Sequence, residues 1–203
     1  MTRRRGRIGG YAAMATMLAA LAGAAAAEPV TLPALFPAPA SIALGNGAVT
    51  LGESVTLVVA PGTQGETVAL VRSILAAAGV GTIATARAVP ATLDRTYVVI
   101  GTGDAGPIRD ALARSGTTLD GHAEGYTIAS LARGKGSLVT LAGRDADGLF
   151  HAAQTFRQLA RRPTLPALVI QDHPAMPIRG TIRSEEHTLN SSHCTVSRMP
   201  SSA

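Results

Sequence analysis

The chain has 203 residues, room for one domain of ordinary size plus terminal segments, and its 46% hydrophobic and 15% charged residues suit a packed core rather than disorder. Aromatics are 3% and tryptophan is absent, so the core must come from Leu, Val, Ile and Ala. The net charge of +5 excludes little by itself, because Arg3, Arg4, Arg5 and Arg7 crowd the N-terminus and Lys135 is the lone lysine. Without a basic stripe interleaved with aromatics, no nucleic-acid partner is expected.

Residues 1–27 are expected to be a secretory signal peptide. A basic start leads into an apolar run, Tyr11 to Ala24, and closes on Ala25-Ala26-Ala27 just before Glu28-Pro29. The run is short for a membrane span. The sequence therefore predicts an exported protein, periplasmic or extracellular, with no membrane association beyond that peptide. Cys194 is the single cysteine, so no intramolecular disulfide can form and the core alone must hold the domain.

A proline-rich lead-in follows over 28–34 and continues through Pro37 and Pro39, extended because proline cannot donate to a helix ladder. Short β-type runs are expected at Ser41–Leu44 and Val55–Val59, with Gly45-Asn46-Gly47 as a turn. Thr63 and Glu66 have the spacing of a capping box. Val68, Val71, Leu75 and Ala78 then recur at helical spacing until Gly79. A weak strand at Ile83–Ala86 and a strong one at Tyr97–Ile100 precede a second helix from about Pro107 to Arg114. Glu124–Ser130 and Leu138–Ala142 flank the turn Arg133-Gly134-Lys135-Gly136 and predict a hairpin. Asp145 stands as N-cap of a third helix with Leu149, Ala152, Ala153, Phe156 and Leu159 on one face. A last strand, Leu168–Ile170, runs into Asp172-His173-Pro174. The sum is an α/β (α+β) fold, a mixed sheet covered by about three helices.

Chemistry is harder to find. Gly101-Thr102-Gly103-Asp104-Ala105-Gly106 fits a dinucleotide fingerprint after a strand, but Asp120 and Glu124 both precede the next strand instead of ending it. Turn glycines between strand and helix are the simpler explanation, and a nucleotide-binding α/β protein is the weaker alternative. Asp104, Asp110, Asp145 and Asp147 are not placed in one cleft by anything in the sequence. His122, His151 and His173 are far apart and lack a metal-ligand spacing. No catalytic residue, metal or cofactor is assigned.

The second half carries ordered motifs: Glu124-Gly125-Tyr126, then Gly148 through Gln154-Thr155 to Gln158-Leu159, then Asp172-His173-Pro174 and Arg179-Gly180. This pattern resembles the non-catalytic N-terminal domain of glycoside hydrolase families 20 and 84, over roughly residues 35–182. The resemblance implies an N-terminal domain at 35–174 and the start of a catalytic barrel at 175–182. It also implies a parent enzyme that removes terminal β-N-acetylhexosamines by substrate assistance, the acetamido oxygen attacking the anomeric carbon. The partner would be the glycan, held by the barrel. The arginine of the exit motif contacts sugar hydroxyls in family 20, which makes Arg179 the implied substrate-binding residue. Thr181-Ile182 fits family 84 slightly better than family 20, and the choice stays open. A (β/α)₈ barrel needs about 250 residues, so the chain is expected to be an inactive fragment. Residues 183–203 break the pattern; from Ser184 they resemble a translated sequencing-library adapter, which predicts a non-native, disordered tail. A stand-alone carbohydrate- or cell-wall-binding module is the competing reading.

Overall fold

The computed structural model describes residues 31–104 and 106–176. The expected signal peptide, Arg179, the expected barrel start from residue 177 onward and the expected non-native tail from 183 lie outside them.

Among the described residues, seven strands and three helices follow one another as β1 (Ser41–Thr50), β2 (Ser54–Val59), α1 (Gly65–Ala77), β3 (Thr82–Ala86), β4 (Thr96–Thr102), α2 (Gly106–Arg114), β5 (Tyr126–Arg133), β6 (Gly136–Gly143), α3 (Ala146–Leu159) and β7 (Thr164–Asp172). They form one mixed sheet in the order β1-β7-β5-β6-β4-β2-β3. Pairing is parallel from β3 through β2 and β4 to β6. It is antiparallel from β6 through β5 and β7 to β1. The fold is therefore the α+β sandwich that the element pattern predicts.

Strand alternation decides which helix lies on which face. In β4, Val98 and Ile100 join the core with Val71, Leu75 and Phe156, so α1 and α3 cover that face. Tyr97 and Val99 point the other way, toward Ile108, Ala111 and Leu112 of α2. Strands covered on both faces read as continuous apolar runs, which is why Tyr97–Ile100 stands out in the sequence.

The hairpin β5–β6 is present in the expected register, Arg133 opposite Gly136 across the Gly134-Lys135 turn. Two local expectations fail. Gly45-Asn46-Gly47 is not a turn, since β1 runs through it and pairs with β7 on both sides. Between Leu44 opposite Leu168 and Ala48 opposite Pro166, three residues of β1 face one of β7. Pro166 offers no N–H to the ladder, and the surplus of β1 is taken up as a bulge with Gly47 at φ +95°. The capping box is also absent. The N-cap of α1 is Gln64, without a side-chain cap bond, and the Thr63 hydroxyl instead donates to the Ala60 carbonyl at 2.7 Å. The last strand is longer than Leu168–Ile170, gaining Thr164–Ala167 along the edge strand β1.

Candidate functional site

Two adjoining clusters gather around the exit of β7, and short-range hydrogen bonds build both. The segment between α2 and β5 lies over the α2 side of the sheet. Thr127 Oγ1 accepts from the Asp120 amide at 2.9 Å and donates to the Thr118 carbonyl at 3.1 Å. Gln171 on β7 adds a bond from its amide nitrogen to the same carbonyl. These anchors carry Asp120 to the end of β7, beside His173.

There Asp120 Oδ1 lies 2.8 Å from His122 Nδ1 and Oδ2 lies 3.2 Å from His173 Nδ1. The imidazoles stack at 3.7 Å between centroids with 21° between planes. Asp120 also accepts from the His122 amide at 2.8 Å. Its side chain is 10% exposed, against 31% for His173 and 65% for His122. Burial pushes the Asp120 carboxyl up, but the His122 amide and the two imidazoles outweigh it and hold the group below the ordinary carboxylate value. An ionised carboxylate only accepts, so each Nδ1 carries the hydrogen in this arrangement. The expectation that His122 and His173 stand far apart is thus corrected: a fold-back of 51 residues closes the gap. His151 is separate, with Nε2 at 3.3 Å from Glu124 Oε2.

The second cluster lies on the α3 side. The Tyr126 hydroxyl meets Thr155 Oγ1 at 2.7 Å and donates to Asp172 Oδ2 at 2.9 Å, and burial pushes it above the ordinary phenol value. Asp172 Oδ1 accepts from the Ala40 amide at 3.0 Å. Gln158 holds both main-chain groups of Phe36 at 2.9 Å. A groove of about 580 Å³ runs over these groups, lined among others by Phe36, His151, Asp172 and Met176.

Asp145 performs the predicted capping role and more. Oδ1 accepts from the Gly148 amide and Oδ2 from the Glu124 amide, both at 2.8 Å, so one carboxylate joins the start of α3 to the entry of β5. Burial raises its pKa, yet the Gly148, Glu124 and Asp147 amides prevail and lower it from 3.8. A lowered folded-state value means that the ionised side chain stabilises the fold above about pH 4, and that this stabilisation fades as pH falls through the folded value. Asp145→Ala is expected to cost about 1–2 kcal/mol near neutrality. Its melting temperature should converge on that of the parent as the pH falls below about 4; parallel curves down to the lowest pH would exclude the charged cap.

The glycine fingerprint serves packing. A Cβ on Gly101 would strike the Ala60 side chain and lie 3.1 Å from Ile108 Cγ1, so this glycine lets α2 and the β2 exit sit close on the sheet. Gly103 has φ +63° and turns the chain. The next strand, β5, is no neighbour of β4, whereas a dinucleotide-binding half needs the next strand in parallel beside the first. Asp110 lies within α2, and Asp104 makes a long, exposed contact with Arg109 at 3.5 Å.

A family model described as glycosyl hydrolase family 20, domain 2, matches residues 32–173. Among solved structures, CpGH84D is similar at 19% identity and TM-score 0.61, over 70% of this chain and 24% of that one. CpGH84B is similar at 18% identity and TM-score 0.56, over 78% and 27%. A family 20 exo-β-N-acetylglucosaminidase from Vibrio harveyi, in complex with N-acetylglucosamine, has 16% identity and TM-score 0.47 over 74% and 21%. The chain thus spans about a quarter of the length of the solved structures it matches.

Proposed function

The chain belongs to the domain 2 family of family 20 glycosyl hydrolases, and from this premise we propose that it serves as the accessory scaffold of an exported glycoside hydrolase acting on terminal β-N-acetylhexosamine residues. The observation that carries the reading is the commitment of five of its carboxylates to structural bonds. Asp145 caps α3, Asp120 joins two histidines, and Asp172 bonds Ala40 and Tyr126. Asp94 is bonded to Arg95 and Tyr97, and Glu124 lies against His151. Hydrolysis by substrate assistance needs a carboxylic acid free to protonate the leaving oxygen in a closed sugar pocket. Residues so engaged hold a fold together instead. In this reading catalysis belongs to a barrel domain entered through Arg179-Gly180, with Arg179 the residue that meets the sugar. The basic and apolar layout of residues 1–27 supports export.

The network at the β7 exit gives the scaffold its use. Tyr126 and the Ala40 amide grip Asp172, Thr155 of α3 meets the same Tyr126 hydroxyl, and Pro174 cannot extend the ladder, so the chain leaves the sheet at a fixed point. Rigid support is what a neighbouring site needs to hold catalytic geometry. The purified chain should not hydrolyse a chromogenic N-acetylglucosaminide above a blank, and calorimetry should detect no binding of N-acetylglucosamine oligomers. Turnover that scales with the chain through repurification would refute the scaffold assignment. Saturable oligomer binding would favour a carbohydrate-binding module. Sequencing the gene beyond the codon for Ile182 tests the parent enzyme, which requires an in-frame barrel.

A further inference from the structure

We propose that Asp120, His122 and His173 form a binding site for one divalent transition-metal ion of the zinc class. Each residue offers a ligand atom, and the three atoms lie within 4.8 Å of one another. Two imidazoles with one carboxylate is a donor set suited to zinc and its neighbours, whereas calcium and magnesium favour sets made of oxygen. His122 and His173 come from different elements, and the bonds of Thr127 and Gln171 to the loop carrying Asp120 already meet the cost of bringing the donors together.

The stacked pair also defines how an ion enters. With planes only 21° apart, the two Nδ1 positions face Asp120 nearly side by side instead of converging on one point. Binding therefore requires one ring to turn. His122 can do so, because its side chain is 65% exposed, while Asp120 at 10% is held in place. A coordinating Nδ1 must give up its hydrogen, to Nε2 or to solvent, and the metal takes the vacated position toward Asp120. Water completes the coordination shell.

The test is calorimetric titration of the purified chain, without a polyhistidine tag, with zinc chloride near pH 7, alongside magnesium and calcium chloride. His187, His193 and Cys194 could also take up zinc, so the parent for this experiment carries His187→Ala, His193→Ala and Cys194→Ala. One zinc per chain is expected, with no response to magnesium or calcium. His122→Ala and His173→Ala should each weaken binding more than about tenfold, since loss of a ligand should exceed the effect typical of a second-shell partner. Cobalt should bind with visible absorption that His122→Ala removes. His122 is the more exposed of the two, so its variant decides the matter if His173→Ala fails to fold. Absence of zinc binding in the parent, or binding unchanged by His122→Ala, would overturn the proposal.

Discussion

Replacing Phe156 with alanine should cost about 3–5 kcal/mol, the range for removing a large aromatic side chain from a core that cannot collapse around the hole. Phe156 is fully buried on the inner face of α3, in the same core cluster as Val98, Ile128, Leu141 and Ile170 of the central strands. Helix α1 closes the same layer through Val71 and Leu75. A hole at this position is therefore bounded by two helices and by strands in the middle of the sheet, and those strands cannot move inward without breaking ladder bonds. Urea unfolding of the two proteins gives the comparison, with an unchanged slope and a lower midpoint expected for the variant. Phe150 lies on the same helix but is 45% exposed, and Phe150→Ala should stay within about 0.5 kcal/mol. Equal losses at the two positions would contradict the assignment of the α3 inner face.

That face is legible in the amino-acid sequence, because Leu149, Ala152, Ala153, Phe156 and Leu159 repeat at helical spacing and Asp145 precedes them as a residue type that caps helices. The hairpin is legible for a similar reason, since a two-residue turn with glycine ties adjacent strands by local rules. Local patterns mislead where a distant partner overrides them. Gly45-Asn46-Gly47 has turn composition, but its conformation is set by β7, more than 110 residues later, where Pro166 interrupts the ladder. Thr63 has the right spacing from Glu66, yet its hydroxyl finds the Ala60 carbonyl first. The glycine fingerprint marks a strand-to-helix turn correctly, and only the sheet order reveals that β5 does not follow beside β4.

The candidate metal cluster is invisible in the sequence for the same physical reason. His122 and Asp120 are close along the chain, but a pair spaced by one residue in a loop carries no ligand signature. His173 reads as part of a strand stop before proline. What brings them together is the antiparallel pairing of β5 with β7, with Thr127 opposite Gln171, and the loop bonds made by both side chains to Thr118. One usable clue is present: a polar residue near the end of each of two apolar strands, Thr127 of β5 and Gln171 of β7, implies that something polar lies over that end of the face.

Gly148→Ala should destabilise the domain by about 1–3 kcal/mol, although helix propensity alone predicts the opposite sign by about 1 kcal/mol. Gly148 sits in the first turn of α3 and is buried against the entry of β5. A Cβ there would strike the Gly125 carbonyl oxygen and lie 3.0 Å from the carbonyl carbon and oxygen of Glu124. Those are backbone atoms and cannot swing aside as a side chain can. They are also tied down, since the Gly125 carbonyl accepts from the Arg144 amide at 2.7 Å and the Glu124 amide donates to Asp145. Any shift that relieves the clash therefore strains the cap of α3 and the first residues of β5 together. Gly65 provides the contrast, because it opens α1 and a Cβ built on it meets nothing within 4 Å. Gly65→Ala should be neutral or mildly stabilising, so the two substitutions, chemically identical, should move the urea midpoint in different directions. If Gly148→Ala instead matched Gly65→Ala, the helix would have room to stand off from β5. The close junction, and the fixed position of Asp145 that depends on it, would then have to be abandoned.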